Sequence, residues 1–397
     1  MNLMFYLEKD LLEHGLSFMV IVFVSVPILL VRGGILFSAL SCFGSHWFMF
    51  TFCPFPTTRC TRDMSSSSVG RRLVACLLNV SEARRKELVE TVARAALYNN
   101  TGVRREGTTV LNIFNDHDYN RSVITIVATI DSIREAVLSA CEKACALIDV
   151  GAHNGVHPCM GAVDLIPIYP LGEEVGVEDC AEEARGEMPS VAQGLTERVR
   201  GTSAFLFGWA DSPLQRGLAQ RRREMGWFKK TPDLQAIRPD VGPQPQNPFG
   251  LTGVGAGPYV MNCNVTIDTQ DVAVGRSIAA ALRESTPGGL PGVQVLALPH
   301  DGAVEIACNV ESLKGGPTGP TPAGEPWPCF SIGGQPYCHV PASLIAARVA
   351  ELAGRQGVGV KGTALVGFTP HECRGLAEVA LSQRIAEFWK ERGNIRM

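Results

Sequence analysis

The order of apolar runs constrains this chain more than any other feature. Residues 73–79 read as a buried strand. Ser81-Glu82 then opens a helical spacing that runs to Leu97, with Leu88, Val89, Val92 and Ala96 on one side. Two β-rich runs follow, at 108–114 and 122–129, separated by Asn115-Asp116-His117-Asp118. A second helical stretch, 133–147, starts behind Asp131 as its cap, and a fourth strand run covers 162–169. This order is β-α-β-β-α-β, the split βαβ arrangement. A helix near 177–200, a strand at 204–209 and a basic helix at 214–229 come next. A stretch rich in Pro and Gly, 232–258, marks a boundary, and the first order then restarts. Strands are expected at 259–267, 293–298, 303–310 and 362–368, with helices at 271–283 and 341–353. The Gly/Pro-rich insertion 314–337 reads as a surface loop, and a last helix spans 370–392. The expected fold is α/β (α+β): two tandem β-α-β-β-α-β subdomains, at 70–245 and 250–397. Their sheets pack together with a cleft between them, and the helices lie outside.

Composition narrows the function. With 397 residues, 46% hydrophobic and 19% charged, the chain buries a sizeable core. A formal net charge of -3 argues against a protein held to nucleic acid by phosphate contacts. The 13 cysteines are scattered, odd in number and without a Cys-x-x-Cys pair, which predicts reduced thiols rather than a disulfide scaffold.

Residues 1–63 differ from the rest. The runs 15–31 and 33–57 are uncharged and apolar, and Glu8, Asp10 and Glu13 outweigh Lys9 where a secretory leader is positive. Three readings stay open: a start of translation at Met64, a membrane anchor through residues 16–57, or a cleaved organellar presequence. The expected compartment is the cytoplasm, or a membrane or organelle if these residues belong to the working protein.

The stretch from Asp149 to Asp164 carries the chemistry. It holds His153-Asn-Gly-Val-His157 just before a strand run, and histidines in a Gly- and Pro-containing loop suit proton transfer near neutral pH. Gly155 and Pro158 rule out the continuous helix that a metal pair at i, i+4 needs, and no Glu follows the first His as in zinc hydrolases. A structural loop histidine is the plain alternative. The Gly-rich run Gly250-Leu-Thr-Gly-Val-Gly-Ala-Gly257 precedes a strand, not a helix, so phosphate-loop and dinucleotide readings fail. It is either a flexible linker or a backbone wall against a flat ligand. Arg121 is placed to grip a carboxylate, or is a solvated arginine. The basic run Arg216 to Lys230 reads as a solvated helix face, or as a surface that attracts a polyanionic ligand.

Taken in order, Leu78-Asn-Val-Ser-Glu82, Asn120-Arg-Ser-Val123, His153-Asn-Gly-Val-His-Pro-Cys-Met-Gly-Ala-Val-Asp164 and Asp240-Val-Gly-Pro243 resemble the formiminotransferase domain of the formiminotransferase-cyclodeaminase family. The resemblance runs from about Leu73 to the C-terminus, and no cyclodeaminase domain follows within this chain. It implies a two-subdomain transferase of histidine and one-carbon metabolism. Such an enzyme moves a formimino group from formiminoglutamate to N5 of tetrahydrofolate, its co-substrate, without a metal. The histidine before Pro-x-Met-Gly, here His157, is implied as the general acid/base, with Asp164 or Asp116 to orient it. Arg121, Asn120, Glu82 and Gly161 are implied substrate contacts. Gly242, Pro243, Gly250, Gly253 and Gly255 are implied to line the pteridine. The family also implies a homodimer. Val156 and Cys159 stand where members usually carry an acidic residue and an arginine, so the alternative is a folate-binding protein of this fold without catalysis.

Overall fold

The computed structural model describes residues 71–186, 190–228, 233–316 and 324–391, with two short strands upstream. Those two, β1 (Leu40–Phe43) and β2 (His46–Met49), pair antiparallel and belong to a separate unit, Met1–Ser67. The remainder of the apolar runs, and with them the anchor and presequence readings, lie outside the described residues. Among the described residues, no helix is long and apolar enough to cross a membrane.

Strand β3 (Leu73–Val80) alternates its side chains between two cores. Val74, Cys76, Leu78 and Val80 enter one, while Leu73, Ala75 and Leu77 enter the other. Both faces are covered, which is why the run reads as continuously apolar. Helix α1 (Lys86–Leu97) buries Val89, Val92, Ala93, Ala96 and Leu97 at 3–4 spacing against the first core. Each fully buried Val or Leu contributes about 1.5–3 kcal/mol. Strands β4 (Thr108–Asp116) and β5 (Arg121–Thr129) form a hairpin, and α2 (Ile130–Leu147) packs beside α1. Helix α2 begins earlier than expected, behind Thr129, so Asp131 sits in its first turn rather than at its cap. Strand β6 (Val163–Pro170) completes the expected β-α-β-β-α-β unit, antiparallel to β3.

The segment after β6 extends the same sheet. Two helices, α3 (Val177–Arg185) and α4 (Val191–Arg198), replace the single one expected at 177–200. They lead to β7 (Ala204–Gly208) and the short α5 (Leu218–Glu224). Strand β8 (Thr252–Ala256) then inserts between β6 and β7, parallel to both, giving the sheet order β4-β5-β3-β6-β8-β7. The Gly-rich run is therefore neither a linker nor a loop, and the first sheet extends through Ala256, past the boundary drawn at 245–250. Strand β8 accepts glycines because the rings of Phe205 and Phe207 occupy the space beside them. A Cβ on Gly253 would lie 2.7 Å from Phe205 Cζ, and one on Gly255 2.4 Å from the Phe207 ring.

The second unit contains β9 (Met261–Ile267), α6 (Val272–Leu282), β10 (Val293–His300) and β11 (Ala303–Val310). The insertion is not a structureless loop. Its strands β12 (Leu313–Lys314), β13 (Cys329–Ile332) and β14 (Gln335–Cys338) form a small sheet. Cys329 and Cys338 face each other across β13 and β14 as a disulfide, so the expectation of reduced thiols fails at this pair. Helix α7 (Ala342–Gly354) and strand β15 (Val360–Val366) finish the unit, whose sheet order is β10-β11-β9-β15. The last helix is broken into α8 (Pro370–Ser382) and α9 (Phe388–Glu391). Helix α8 packs on β4 within the core that holds Leu73, Ala75 and Leu77, on the sheet face away from α1 and α2. Helices thus cover both faces of the first sheet, not only its outside. The two units share this second core, which runs from β3 and β5 through Tyr259 to β9, β11 and α7.

Candidate functional site

The loop from Asp149 to Gly161 leaves α2 and climbs over the start of β6. It is laid on the β4–β5 turn: Val156 N–H donates to the Asp118 carbonyl at 3.1 Å, and a Cβ on Gly155 would sit 2.0 Å from the Tyr119 oxygen. Gly155 is required for that approach. His157 follows, half-buried, and its Nδ1–H donates to the Pro158 carbonyl at 2.9 Å. A carbonyl only accepts, so this bond puts the ring proton on Nδ1 and leaves the Nε2 lone pair free for chemistry. Two aromatic rings flank the imidazole, Tyr119 with its centroid 5.2 Å away and Trp227 at 5.5 Å, edge-on. Burial, reinforced by the charges of Arg121 and Arg222, holds His157 well below the ordinary imidazole range, against the opposing pull of Asp164. At neutral pH it is an uncharged base.

Beneath it lies a buried charge cluster. Asp164 on β6 pairs with Arg121 at the start of β5, accepts the Met160 N–H at 2.9 Å, and lies 3.5 Å from Arg222 of α5. Arg121 also donates Nε–H to Asn79 at 3.1 Å and reaches the Cys159 sulfur at 3.4 Å. Burial opposes ionisation of Asp164, but the two guanidinium groups and the Met160 N–H outweigh it and hold the carboxyl below its usual range. Burial draws Arg222 down to about 10, with Asp164 opposing, so it stays charged at neutral pH and lies over the Trp227 ring at 4.2 Å. Burial raises the Cys159 thiol, which is therefore not a thiolate nucleophile. Two cations and one carboxylate leave one net positive charge beside a neutral histidine, an arrangement suited to an anionic ligand.

The structure brings His157, Arg121 and Asp164 together, but redistributes other expected roles. Neither Asp164 nor Asp116 orients His157; a backbone carbonyl does. Asp116 instead accepts from His300 Nε2 at 2.9 Å and from the Tyr119 N–H at 2.9 Å. Asn120, at φ 48°, accepts from the Ala83 N–H at 3.0 Å, and Glu82 accepts from the Arg84 and Arg85 N–H groups while pairing with the Arg85 guanidinium. Both therefore fix the β3–α1 loop. Gly161 bridges to Gly250, and each lies where a Cβ would strike backbone, 2.5 Å from the Val163 oxygen and 1.9 Å from the Met160 oxygen. Gly242 packs on the Thr202 carbonyl, and the Pro243 carbonyl accepts from Ser203 at 2.6 Å. Gly253 and Gly255 lie under aromatic rings and present no open backbone wall. The arginine run is only partly a solvated face: Arg223 is exposed, but Arg221 and Arg222 are buried.

Four residues of this region carried no signal of their own in the sequence: Tyr119, Trp227, His300 and Glu305. The Tyr119 hydroxyl donates to Glu305, which also accepts from Asn264 at 3.0 Å. Glu305 is the one charged residue of β11, but nothing local names its partner.

Residues 73–257 match the N-terminal subdomain of the formiminotransferase domain. A glutamate formimidoyltransferase of Thermoplasma acidophilum is 30% identical over 248 residues, a match covering 61% of this chain and 78% of that protein. A formiminotransferase cyclodeaminase-like protein of Arabidopsis thaliana is 31% identical over 256 residues, covering 60% of this chain and 82% of that one. The formimidoyltransferase-cyclodeaminase of Gallus gallus is 30% identical over 250 residues, which span 44% of its length.

Proposed function

Because the chain belongs to the formiminotransferase family, we propose that it transfers a formimino group from formiminoglutamate to N5 of tetrahydrofolate, with His157 as the proton-transfer group. The observation that carries this reading is His157 itself: a neutral imidazole with Nε2 free, beside a buried cluster of net positive charge. N5 attacks the formimino carbon to give a tetrahedral intermediate. His157 Nε2 takes the N5 proton and returns it to the glutamate nitrogen, whose bond to carbon then breaks. Burial beside Arg121 and Arg222 keeps the imidazole ready to accept, since its protonated form is disfavoured until the intermediate's charge develops. The excess positive charge supports holding a glutamate carboxylate, with Arg222, bound to Asp164 by a single 3.5 Å contact, the freer of the two guanidinium groups.

One observation favours a second reading, a folate-binding protein without catalysis. Val156 is 45% exposed beside His157, and a neutral thiol at Cys159 meets Arg121. Charges usual in the family are thus missing on both sides of His157. The deciding experiment supplies the purified protein with formiminoglutamate and tetrahydrofolate and follows release of glutamate. Transfer that falls about 10²–10⁴-fold in His157→Ala supports the enzyme. Tetrahydrofolate binding without transfer supports the second reading, and unchanged transfer in His157→Ala removes this histidine from the mechanism.

A further inference from the structure

We propose that Tyr119, tied by its hydroxyl to Glu305, is a positioning residue for His157, through which the second sheet sets the orientation of the imidazole. The inference rests on the reading of His157 as the proton-transfer group. Among the described residues no carboxylate holds the imidazole; its Nδ1–H bonds the neighbouring Pro158 carbonyl, within its own loop. Its orientation against the rest of the molecule is therefore set by the two rings beside it, Tyr119 and Trp227.

Tyr119 is held from several directions. It lies in the β4–β5 turn, 5% exposed, and its backbone meets the His157 loop at Gly155. Its N–H donates to Asp116 Oδ1, whose second oxygen takes His300 Nε2, and its ring centroid lies 5.0 Å from that of His300. Its hydroxyl crosses to β11, where Glu305, 7% exposed, accepts it while also accepting from Asn264 of β9. One residue further back, Asp118 accepts the Asp301 N–H from the β10–β11 turn at 2.6 Å. Two hairpin tips, one from each sheet, thus meet at Tyr119. Burial and the carboxylate keep the phenol protonated, so it donates throughout the neutral range. A donor with one fixed acceptor on another sheet cannot turn without leaving a buried polar group unpaired, a cost of about 1–3 kcal/mol. The phenol ring, so fixed, forms a rigid wall for the imidazole.

The test reads His157 directly in the full-length protein, by NMR titration of its imidazole, assigned with His157→Gln. The charged groups facing His157 are Arg121, Arg222 and Asp164; those facing Tyr119 are Glu305, Asp116, Asp118 and His300. In Tyr119→Phe and in Glu305→Ala the ring loses its tether, water reaches the imidazole, and the His157 titration moves up towards that of a free histidine. Loss of the Glu305 charge alone would move it down, so a rise isolates the loosening. Glu305→Gln retains an acceptor for the phenol and leaves the titration at or below its original position. A titration unmoved or lowered in Tyr119→Phe overturns the proposal. The same result in folded Glu305→Ala also overturns it; if that variant does not fold, Tyr119→Phe decides alone. With substrates, Tyr119→Phe lowers kcat about tenfold and leaves KM in place, as expected for a disturbed proton transfer. The titration needs no substrate, so a wild-type protein without transferase activity overturns the functional reading and leaves the positional one to be judged by NMR.

Discussion

At the scale of single residues, the Arg121–Asp164–Arg222 cluster has the largest energetic stake. Taking ions out of water costs several kcal/mol each, and one carboxylate compensates two guanidinium groups in this cluster. Asp164→Ala strands both cations, and urea unfolding should show a loss of about 3–5 kcal/mol. A loss below about 1 kcal/mol would mean that water already reaches the cluster. The sequence exposed half of this arrangement. His157 and Asp164 stood out because a loop of small residues before an apolar strand has little structural need of them, and Arg121 because an arginine opens a β-rich run directly after an acidic turn. Arg222 did not, because a run of arginines looks the same whether its face is solvated or folded under an aromatic ring. Glu305 and His300 were invisible for another reason: their partners Tyr119 and Asp116 are 186 and 184 residues away.

At the scale of elements, the six of the first β-α-β-β-α-β unit were readable, β3 as a short continuous apolar run and α1 and α2 from their 3–4 spacing. Strand β8 was not. Its glycines at 253 and 255 are the usual marks of a linker, and only the tertiary fit of Phe205 and Phe207 shows why a strand needs them. The distinction is testable in the full chain with Val254→Pro. Between two parallel neighbours the proline removes a ladder donor and unfolds the protein or lowers its stability by about 3 kcal/mol or more. A linker would tolerate it with no change in melting. The insertion was misread for a similar reason: Gly and Pro predict turns, and β13 and β14 are short strands joined by the turn at Gly333-Gly334, closed by a disulfide that scattered cysteine spacing does not announce.

At the scale of the whole molecule, the tandem order was legible and the way the two sheets meet was not. They share one apolar core and touch at the hairpin tips beside His157. The His300–Asp116 pair in that junction makes its strength depend on pH. Its hydrogen bond to Asp116 raises His300 from 6.5 to about 9, so the folded protein holds a proton that the unfolded chain releases. The contribution is full below about 6.5, declines above it, and is gone once pH has risen through about 9. Thermal melting of His300→Gln should therefore converge on the wild type above that pH, and a constant difference would exclude the linkage. His157 carries the opposite sign: its proton affinity is depressed in the folded state, so its contribution to stability is lost as pH falls below 6.5. The same depression makes it a base under acid conditions, and the acid limb of kcat/KM for formimino transfer to tetrahydrofolate puts that role to its sharpest test. The limb should fall below pH 6.5 and vanish in His157→Ala. An acid limb at or above 6.5, or one that persists unchanged in His157→Ala, would contradict proton transfer by His157.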